Sequence, residues 1–348
     1  MPRKPPAKGK PYAAAPARTG ASVTLDDVAK LAGVSPMTVS RVVNRPELVS
    51  AATIQRVRTV IERTGYVPNL LAGGLASRRS RMVAAIVPSI TNGIFVEAIE
   101  ALTDRLWNDG YQVVLGLSGY PAEREDALLS AVLSRRPDAL YLTGITHSPE
   151  ARRRLHAARI PIVETWDLTP SPVDMVIGFS HEKVGEAVAR HLHARGYRRF
   201  GLISADDERA RVRHRSFVDE MARAGITAVE VASIQAPSTL ALGRSAMVDL
   251  LDRKRAPRVV FCGSDLLAQG ALEEARARGL SVPGDVAIMG FGGLDFTAHT
   301  SPPLSTVAVD RAGIGRMAAE AILARINHTA TPPRVVDVGF TIVDRGTT

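Results

Sequence analysis

From Met82 onward the chain alternates short apolar runs, rich in β-branched residues, with stretches of helical spacing. Repeated β-α-β units of this kind predict parallel sheets that are covered by helices on both faces. Because the units fall into two series, they predict two α/β lobes. The apolar runs of the first series are MVAAIVP at 82–88, YQVVLGL at 111–117, ALYLT at 139–143 and IPIVET at 160–165. The runs of the second series are MVIGF at 175–179, RFGLIS at 199–204, VEVASI at 229–234, RVVFCG at 258–263 and VAIMGF at 286–291.

The first 80 residues carry all of the chain's excess positive charge. They contain 13 Lys and Arg against 4 Asp and Glu, whereas residues 81–348 contain 31 of each kind, so the formal net charge of +9 belongs to this segment. Neutralisation of phosphates by Lys and Arg dominates the affinity of proteins for nucleic acid. The distribution indicates a small polyanion-binding head on a neutral body, although an ordinary basic surface would give the same balance.

Composition excludes several other classes of protein. A chain of 348 residues with 45% hydrophobic side chains is typical of a globular protein with two or three domains. Its single cysteine, Cys262, excludes an intrachain disulfide and a cysteine-rich zinc site. No apolar run approaches the roughly 20 residues that span a bilayer, and the first twenty residues lack the apolar segment of a secretory signal. We therefore expect a cytoplasmic protein without a membrane anchor.

The sequence contains none of the common catalytic motifs. There is no G-x-S-x-G elbow, no P-loop and no H-E-x-x-H helix, and the eight histidines do not have the spacing of metal ligands. The pair Gly292–Gly293 is a weak phosphate-binding signal and is better explained by tight turn geometry. We predict no catalysis, no cofactor and no bound metal.

Within the basic segment the spacing of apolar residues predicts three short helices. Thr24 is a suitable N-cap for the first helix, which Gly33 ends. Ser35 is a suitable N-cap for the second, Pro36 to Val43, and a third helix ends at Gly65. A helix, a tight turn and a second helix within twenty residues are typical of a helix-turn-helix.

Two segments carry a family resemblance: TLDDVAKLAGVSPMTVSRVVN at 24–44 and VSAATIQRVRTVIERTGYVPNLLAGGLAS at 49–77. They closely resemble the DNA-binding region of the lactose-repressor/galactose-repressor family of bacterial transcription regulators. The resemblance implies that the second helix enters the major groove of operator DNA. By matched position it implies base contacts from Pro36, Met37 and Arg41, with Ser40 and Asn44 nearby, and phosphate contacts from Thr24, Ser35 and Thr38.

The side chains at two of these positions suit base reading. Arg41 can bind guanine O6 and N7 bidentately, and Met37 can contact a thymine methyl group. Val39, Val42 and Val43 are better explained as core residues, and internal packing is the alternative for Met37.

The resemblance also implies a hinge at 69–80 that becomes helical only on operator DNA. Asn69, Ala72 and Leu75 would contact DNA there, with Leu75 as an apolar wedge between base pairs in the minor groove. A flexible linker with one incidental leucine is the alternative, because two adjacent glycines raise the cost of ordering a helix.

The remainder of the chain, through DVGFTIVDRG, resembles the type I periplasmic sugar-binding fold that forms the regulatory domain of the same family. The resemblance implies several crossings between the lobes, with the helix near 310–326 returning to the first lobe and a strand at 335–342 joining the second. Ligands bind beyond the carboxyl ends of parallel strands, so we expect the effector between the lobes. The predicted organisation is a disordered basic arm at 1–20, an all-α helix-turn-helix domain at 21–68, the hinge at 69–80 and an α/β two-lobed effector-binding and dimerisation domain at 81–348.

Candidate effector contacts follow from the strand ends and from the family match. In the first lobe they are Ser89, Asn92, Phe95, Thr146, His147 and Glu164. In the second lobe they are Arg213, Ser264, Asp265, Phe291 and Asp295. The structural alternatives are core packing for Phe95, helix capping for Asp265 and a surface loop for His147. Glu164 would repel an anionic ligand unless it binds hydroxyl groups or pairs with an arginine.

The loop GFGGLDF at 290–296 stands where the family usually has Gly-Tyr-Asp-Asp, so it lacks the acid that commonly binds sugar hydroxyls. Together with PSITN, THSP and DVGFT, this pattern is most similar to the gluconate-repressor branch. A sugar acid needs a cation, and Arg213 can hold its carboxylate bidentately.

The sequence therefore predicts a homodimeric DNA-binding repressor controlled by a sugar or sugar-acid effector, with gluconate as the candidate. An extracytoplasmic solute-binding protein is the alternative, because the body alone would fit that function. The basic head and the missing signal segment count against it.

Overall fold

The structure is a computed structural model that describes residues 23–67, 79–91 and 93–348. The chain forms two compact units, and the division falls between Arg79 and Ser80. The expected basic arm, the hinge positions Asn69, Ala72 and Leu75, and Asn92 lie outside the described residues. In the part that is described, no helix is long and apolar enough to cross a membrane.

The described part of the first unit, residues 23–67, contains three helices in the predicted order. They are α1 (Leu25–Ala32), α2 (Pro36–Asn44) and α3 (Ala51–Thr64), with a 3-10 turn at Pro46–Leu48 that the sequence analysis did not predict. One apolar face of each helix meets in a common core, which contains Val28, Ala29, Ala32, Val39, Val42, Val57, Val60 and Tyr66.

The ends of these helices follow the predicted caps. The Thr24 hydroxyl accepts a hydrogen bond from the Asp27 backbone N–H at 3.3 Å, and the Ser35 hydroxyl accepts one from Thr38 at 3.2 Å. Gly33 ends α1 with a φ of 64°, a left-handed conformation that favours glycine. Side-chain caps and a glycine stop thus hold α2 at a fixed angle to α1.

The second unit contains two six-stranded sheets. The first sheet has the order β11-β5-β4-β3-β1-β2 and is parallel throughout. Its strands are β1 (Met82–Val87), β2 (Gln112–Leu117), β3 (Ala139–Thr143), β4 (Ile162–Thr165), β5 (Met175–Gly178) and β11 (Val335–Asp337). The helices that connect β1 to β4 are α4 (Val96–Trp107), α5 (Ala122–Leu133) and α6 (Pro149–Ala158).

The second sheet has the order β12-β10-β9-β8-β6-β7, and only β12 is antiparallel to its neighbour. Its strands are β6 (Phe200–Ala205), β7 (Val229–Ile234), β8 (Val259–Cys262), β9 (Ala287–Gly292), β10 (Ser305–Ala308) and β12 (Thr341–Val343). The helices that follow β5, β6, β7, β8 and β10 are α7 (His181–Ala194), α8 (Glu208–Arg223), α9 (Leu240–Leu251), α10 (Asp265–Ala277) and α11 (Arg311–Asn327).

The boundary between the lobes differs from the prediction. MVIGF was assigned to the second series, but β5 pairs with β4 in the first sheet, with Val163 opposite Met175. The chain changes lobe only after Phe179. The reason is that the short 166–174 connection returns the chain to the same sheet edge, and no sequence periodicity reports which sheet a buried strand joins.

The single strand expected at 335–342 is in fact two strands in different sheets. β11 pairs with β5 in the first sheet, and β12 pairs with β10 in the second. The Asp337 carboxylate accepts a hydrogen bond from Gly339 N–H at 3.0 Å, and Gly339 has a φ of 65°. This turn breaks the strand where the chain crosses between the lobes.

The expected return of α11 to the first lobe is confirmed. α11 packs directly on α4, and a side chain on Gly315 would begin 2.0 Å from the Ala98 carbonyl oxygen. The described chain crosses between the lobes three times: from β5 to α7, from β10 to α11 and from β11 to β12. The carboxyl ends of the parallel strands in both sheets face the region between them.

Candidate functional site

The exposed face of α2 carries the predicted base-reading side chains. Met37 is 62% exposed, so the alternative that it packs internally is wrong. Val39 and Val42 are buried on the opposite face, and Val43 is half-buried. The Arg41 side chain is exposed and makes no hydrogen bond or ion pair with another described residue. A guanidinium without a hydrogen-bond partner in the described chain, next to an exposed apolar side chain, is suited to contact base edges directly.

The other polar residues of this face are partly engaged within the head. The Asn44 side-chain amide donates to the Ser40 carbonyl oxygen at 3.0 Å and lies 3.4 Å from its hydroxyl. The Ser35 and Thr38 hydroxyls lie 2.9 Å apart. These contacts fix the side chains along one edge of α2 next to Arg41.

Two cavities that share Tyr120, Asp207 and Arg209 lie at the carboxyl ends of the strands, between the two lobes. The larger has a volume of about 370 Å³ and the smaller about 50 Å³. A wider groove of about 590 Å³ lies at the amino ends of β4 and β5, lined by residues such as Ile162 and Asp174. We place the candidate effector site in the cleft between the lobes, because it is there that the predicted residues converge.

Arg213 lies on α8 and is held at the smaller cavity by three contacts. Its Nη1 donates to His181 Nδ1 at 2.8 Å, its Nη2 donates to the Gly263 carbonyl at 3.2 Å, and its Cζ lies 4.0 Å from the centre of the Phe291 ring. Its Nε is buried and has no hydrogen-bond partner among the described residues. Burial lowers the pKa of Arg213 to about 10, so it remains a cation at neutral pH. The cleft therefore contains a desolvated, oriented cation that forms no ion pair with another described residue.

His181, the first residue of α7, fixes the orientation of Arg213. Because Nδ1 accepts from Arg213, Nε2 carries the proton and donates to the Trp166 carbonyl oxygen at 2.8 Å. Burial and the neighbouring positive charge of Arg213 lower the pKa of His181 well below its usual range, which keeps the ring neutral. The chain of hydrogen bonds links α8 of the second lobe, through α7, to the end of β4 in the first lobe.

Aromatic rings form the wall of the cleft around this chain. Phe95 and Trp166 pack edge to face with centroids 4.9 Å apart, and the Trp166 Nε1 donates to the Tyr141 hydroxyl at 3.1 Å. Trp166 has a φ of 69°, a conformation rare for residues other than glycine. Phe95 is buried in the core and also lines the smaller cavity, so its contact with the effector stays a prediction.

Acidic and hydroxyl groups line the larger cavity. Thr146, one of the predicted contacts, is there with Tyr120 and Asp167. Burial raises the pKa of Asp167, against the opposing effect of its hydrogen bond to Leu168 and of nearby arginines. Burial also raises the pKa of Tyr120. This end of the cleft is suited to hydroxyl groups, which both donate and accept hydrogen bonds.

His147 and Glu164 form a buried cluster behind the cleft with Glu125. His147 Nδ1 lies 2.7 Å from Glu125 Oε1, and Nε2 lies 3.2 Å from Glu164 Oε1 in an ion pair whose angles are not those of a hydrogen bond. Burial lowers the pKa of His147, but the two glutamates outweigh it and raise that pKa to about 9. The surface-loop alternative for His147 is therefore wrong. Glu164 is fully buried and is compensated by a histidine rather than by the arginine considered above.

Asp265 does not cap its helix. The N-cap of α10 is Ser264, whose hydroxyl accepts from Leu267 N–H at 3.3 Å. Asp265 is fully buried and accepts hydrogen bonds from Leu294 N–H at 2.7 Å and from the Thr306 hydroxyl at 2.6 Å. Burial raises its pKa to about 6, against these hydrogen bonds. It thus holds the loop after β9 in place.

The remaining predicted contacts divide between the cleft and its margin. Ser264 and Phe291 line the smaller cavity. Ser89 bonds to Thr91 within its own loop at 3.1 Å and lines neither cavity, and Asp295 is exposed at the start of a 3-10 turn.

Sequence reasoning missed several residues that the fold brings to the cleft. They are Tyr120, Trp166, Asp167, His181, Asp207 and Arg209. Asp167 follows β4 and Asp207 follows β6 by two residues, so the strand-end rule could have found them. His181 carried no such signal, because its role depends on contacts between two helices.

A helix-turn-helix head joined to a two-lobed body with a polar cleft defines a DNA-binding regulator with a small-molecule site. Comparison with known proteins agrees. Residues 24–69 match the model of bacterial regulatory proteins of the lacI family, and residues 189–348 match that of a periplasmic binding protein-like domain.

The similar proteins match over nearly their whole length. The HTH-type transcriptional regulator GntR of Pseudomonas aeruginosa is 38% identical over 335 residues, which are 95% of this chain and 97% of that protein. A lacI-family regulator from Silicibacter pomeroyi superposes with a TM-score of 0.87 at 34% identity, covering 93% of this chain and 99% of the other. The lac repressor dimer bound to operator and the anti-inducer ONPF gives 0.76 at 25% identity, covering 94% and 99%.

The chain belongs to the lacI family of bacterial regulatory proteins. It is a DNA-binding transcriptional regulator and not an enzyme, and the predicted fold class is confirmed. A bacterial DNA-binding regulator acts in the cytoplasm, where the chromosome lies.

Proposed function

We propose that the protein represses its target genes as a homodimer on operator DNA, and that a sugar acid of the gluconate type binds the cleft and releases it. The observation that carries the effector assignment is Arg213. It is a buried cation that lines the smaller cavity and forms no ion pair with another described residue, and a carboxylate supplies the opposite charge that such a group lacks.

The two ends of the cleft support a ligand with one acidic and one hydroxylated end. Arg213 and the rings of Phe95 and Phe291 surround the smaller cavity, whereas Thr146 and Asp167 line the larger one. A neutral hexose would leave the arginine charge uncompensated. A polyhydroxy monocarboxylate satisfies both ends.

The homodimer proposal is supported by exposed apolar side chains on the first lobe. The exposed apolar side chains there are Ile90, Val96, Trp107, Val114, Leu115 and Leu117. Three of them lie on β2, the edge strand of the first sheet, and exposed apolar patches commonly mark protein interfaces. A solved relative, the lac repressor, is a dimer on its operator. Two heads are needed to read two half-sites.

The proposed DNA contacts of the head are those of the exposed face of α2. We assign base reading to Pro36, Met37 and Arg41, and phosphate contacts to Ser35 and Thr38 at the start of α2 and to Thr24, the N-cap of α1. The contacts from Asn69, Ala72 and the Leu75 wedge remain predictions from the family resemblance.

Isothermal titration calorimetry of the full chain tests the effector assignment. Gluconate should bind to the wild type, glucose should bind far more weakly, and Arg213→Ala should lose gluconate binding while retaining its helical content. If glucose binds and sugar acids do not, or if Arg213→Ala binds gluconate normally, the effector assignment is wrong while the DNA-binding function stands.

A further inference from the structure

Arg209 is the second residue of α8 and lies one helical turn before Arg213. Residues four apart on a helix share a face, so both arginines are directed at the same cavity, which both line. The sequence analysis did not single out Arg209. Its position makes it the second cation of the cleft.

The charge of Arg209 is not compensated by a direct contact. Among the described residues its guanidinium makes no hydrogen bond and no ion pair, and its recorded contact is with the Phe95 ring, whose centre lies 5.6 Å from Cζ. A cation over an aromatic face is attracted to the ring, but this attraction leaves all five N–H donors unused.

The acids next to Arg209 in sequence are already engaged. Arg211 binds Asp206 at 2.6 Å and Glu208 at 2.7 Å. Asp207 caps α8 by accepting a hydrogen bond from Ala210 N–H at 3.1 Å. Both Arg209 and Arg211 line the larger cavity, but Arg211 is neutralised by its two acids, and only Arg209 also lines the smaller cavity with Arg213.

Arg209 also reaches from the second lobe to the first. Its Nη1 lies 3.2 Å from the point where a side chain on Gly144 would begin, and Gly144 follows β3 of the first sheet. Its charge opposes the burial that raises the pKa of Asp167 in the first lobe. A ligand that binds Arg209 therefore occupies the space between both lobes.

We propose that Arg209 and Arg213 together hold the effector carboxylate, and that Arg209 determines the preference for an acid over a neutral sugar. The inference rests on the proposed function, since it takes the effector to be a sugar acid. The carboxylate lies between the two guanidinium groups, which come from successive turns of α8. The hydroxylated end of the ligand lies near Thr146 and Asp167.

The test compares gluconate with glucitol, which has the same carbon chain but a hydroxymethyl group in place of the carboxylate. Calorimetry is done on the full chain with wild type, Arg209→Gln, Arg209→Lys and the matched control Arg215→Gln, which removes an exposed arginine of α8 that lines neither cavity. Loss of a charge-assisted hydrogen bond is worth about 1.5–3 kcal/mol, so Arg209→Gln should bind gluconate about 10- to 100-fold more weakly. Glucitol binding, however weak, should change less than threefold on the same substitution.

The two remaining variants separate charge from general effects. Arg215→Gln should bind gluconate as the wild type does, and Arg209→Lys should recover part of the loss, because it restores the charge without the planar fork. Equal weakening by Arg209→Gln and Arg215→Gln would show a long-range charge effect and overturn the inference.

The inference and the proposed function fail in different ways. If wild type binds gluconate, Arg213→Ala does not and Arg209→Gln binds normally, the two-arginine site is wrong and the proposed function stands. If wild type binds neither gluconate nor other six-carbon sugar acids, the proposed function itself is wrong and the inference falls with it.

Discussion

Arg213 is a buried cation, and the proposed carboxylate ligand would offset the cost of its burial. Removing a guanidinium from water is costly, and the lowered pKa of about 10 reports that cost. The neutral His181 and the Phe291 ring orient the cation but do not neutralise it. A bound carboxylate would restore the electrostatic stabilisation that burial removes. Part of the desolvation cost of Arg213 would therefore be recovered as binding free energy.

On the proposed DNA-binding face of α2, substitution of Arg41 tests whether this side chain reads the bases directly. Arg41→Ala should cost about 1–3 kcal/mol of base discrimination, because a bidentate contact to guanine is lost, while affinity for random DNA changes less. Fluorescence anisotropy with selected and scrambled duplexes measures both. The control is Arg45→Ala, which removes an exposed arginine just beyond the end of α2. An equal loss on both duplexes would make Arg41 a phosphate contact.

The histidine behind the cleft makes stability depend on pH. The pKa of His147 is raised to about 9 in the folded chain, above its ordinary value of 6.5, so its contribution is fully present below about pH 6.5 and is lost as the pH rises through 9. His147→Gln leaves Glu164 buried without its cation and should cost about 3–5 kcal/mol at pH 6. Urea unfolding from pH 6 to 9.5 should show a decline in the wild type that the variant lacks. Parallel pH profiles would contradict this assignment.

Among the elements, the crossing of α7 and α8 sets the position of Arg213. A side chain on Gly185 would begin 2.2 Å from the Arg213 carbonyl oxygen, so Gly185→Ala must separate the two helices. Overpacking of this kind costs about 1–3 kcal/mol of stability. Here it should also weaken gluconate binding, because it lengthens the hydrogen bond between Arg213 and His181.

Gly243→Ala provides the matched control for this crossing. Its new side chain would begin 2.3 Å from the Leu267 carbonyl in the packing of α9 on α10, within the same lobe but with no contact to Arg213. We expect a comparable loss of thermal stability with gluconate affinity unchanged. Equal effects of the two variants on affinity would show that α7 does not position the arginine.

The Asp138 carboxylate fixes the backbone at the first residues of the second unit. Asp138 accepts hydrogen bonds from the backbone N–H groups of Ser80 at 3.0 Å and Arg81 at 2.8 Å, where the chain enters the first sheet. Asp138→Ala should keep gluconate affinity but reduce the effect of gluconate on DNA binding, normally a coupling of about 1–3 kcal/mol. DNA titrations with and without gluconate measure it, with Asp104→Ala, an exposed acid on α4, as control. Full coupling in Asp138→Ala would exclude this role.

The elements themselves were largely predictable, because periodicity and caps are local. Thr24, Ser35 and Gly33 marked the helix ends correctly, and nearly every strand of the body was visible as an apolar run. β10 was not predicted, since Ser305–Ala308 is short and mixed in polarity. The sheet that β5 and β11 join depends on long-range pairing, and so do the contacts of His181, so neither could be derived from spacing.

For the molecule as a whole, the charge of the head and the chemistry of the cleft assign two activities to two parts of the chain. Residues 81–348 alone should therefore bind gluconate with the affinity of the full chain and show no specific DNA binding. Calorimetry and anisotropy on this fragment test the division, with the full chain as the control. Specific operator binding by the fragment would contradict it.

The central claim is that a sugar acid in the cleft controls DNA binding through Arg213. The most direct test measures, by fluorescence anisotropy, the affinity of the full chain for its operator as gluconate is added. In the wild type the affinity should fall by roughly 5- to 150-fold to a plateau, and gluconate affinity should fall by the same factor when operator is present. Arg213→Ala should bind operator normally and show no response. An operator affinity that is unaffected by gluconate in the wild type, or an Arg213→Ala variant that responds fully, would contradict the claim.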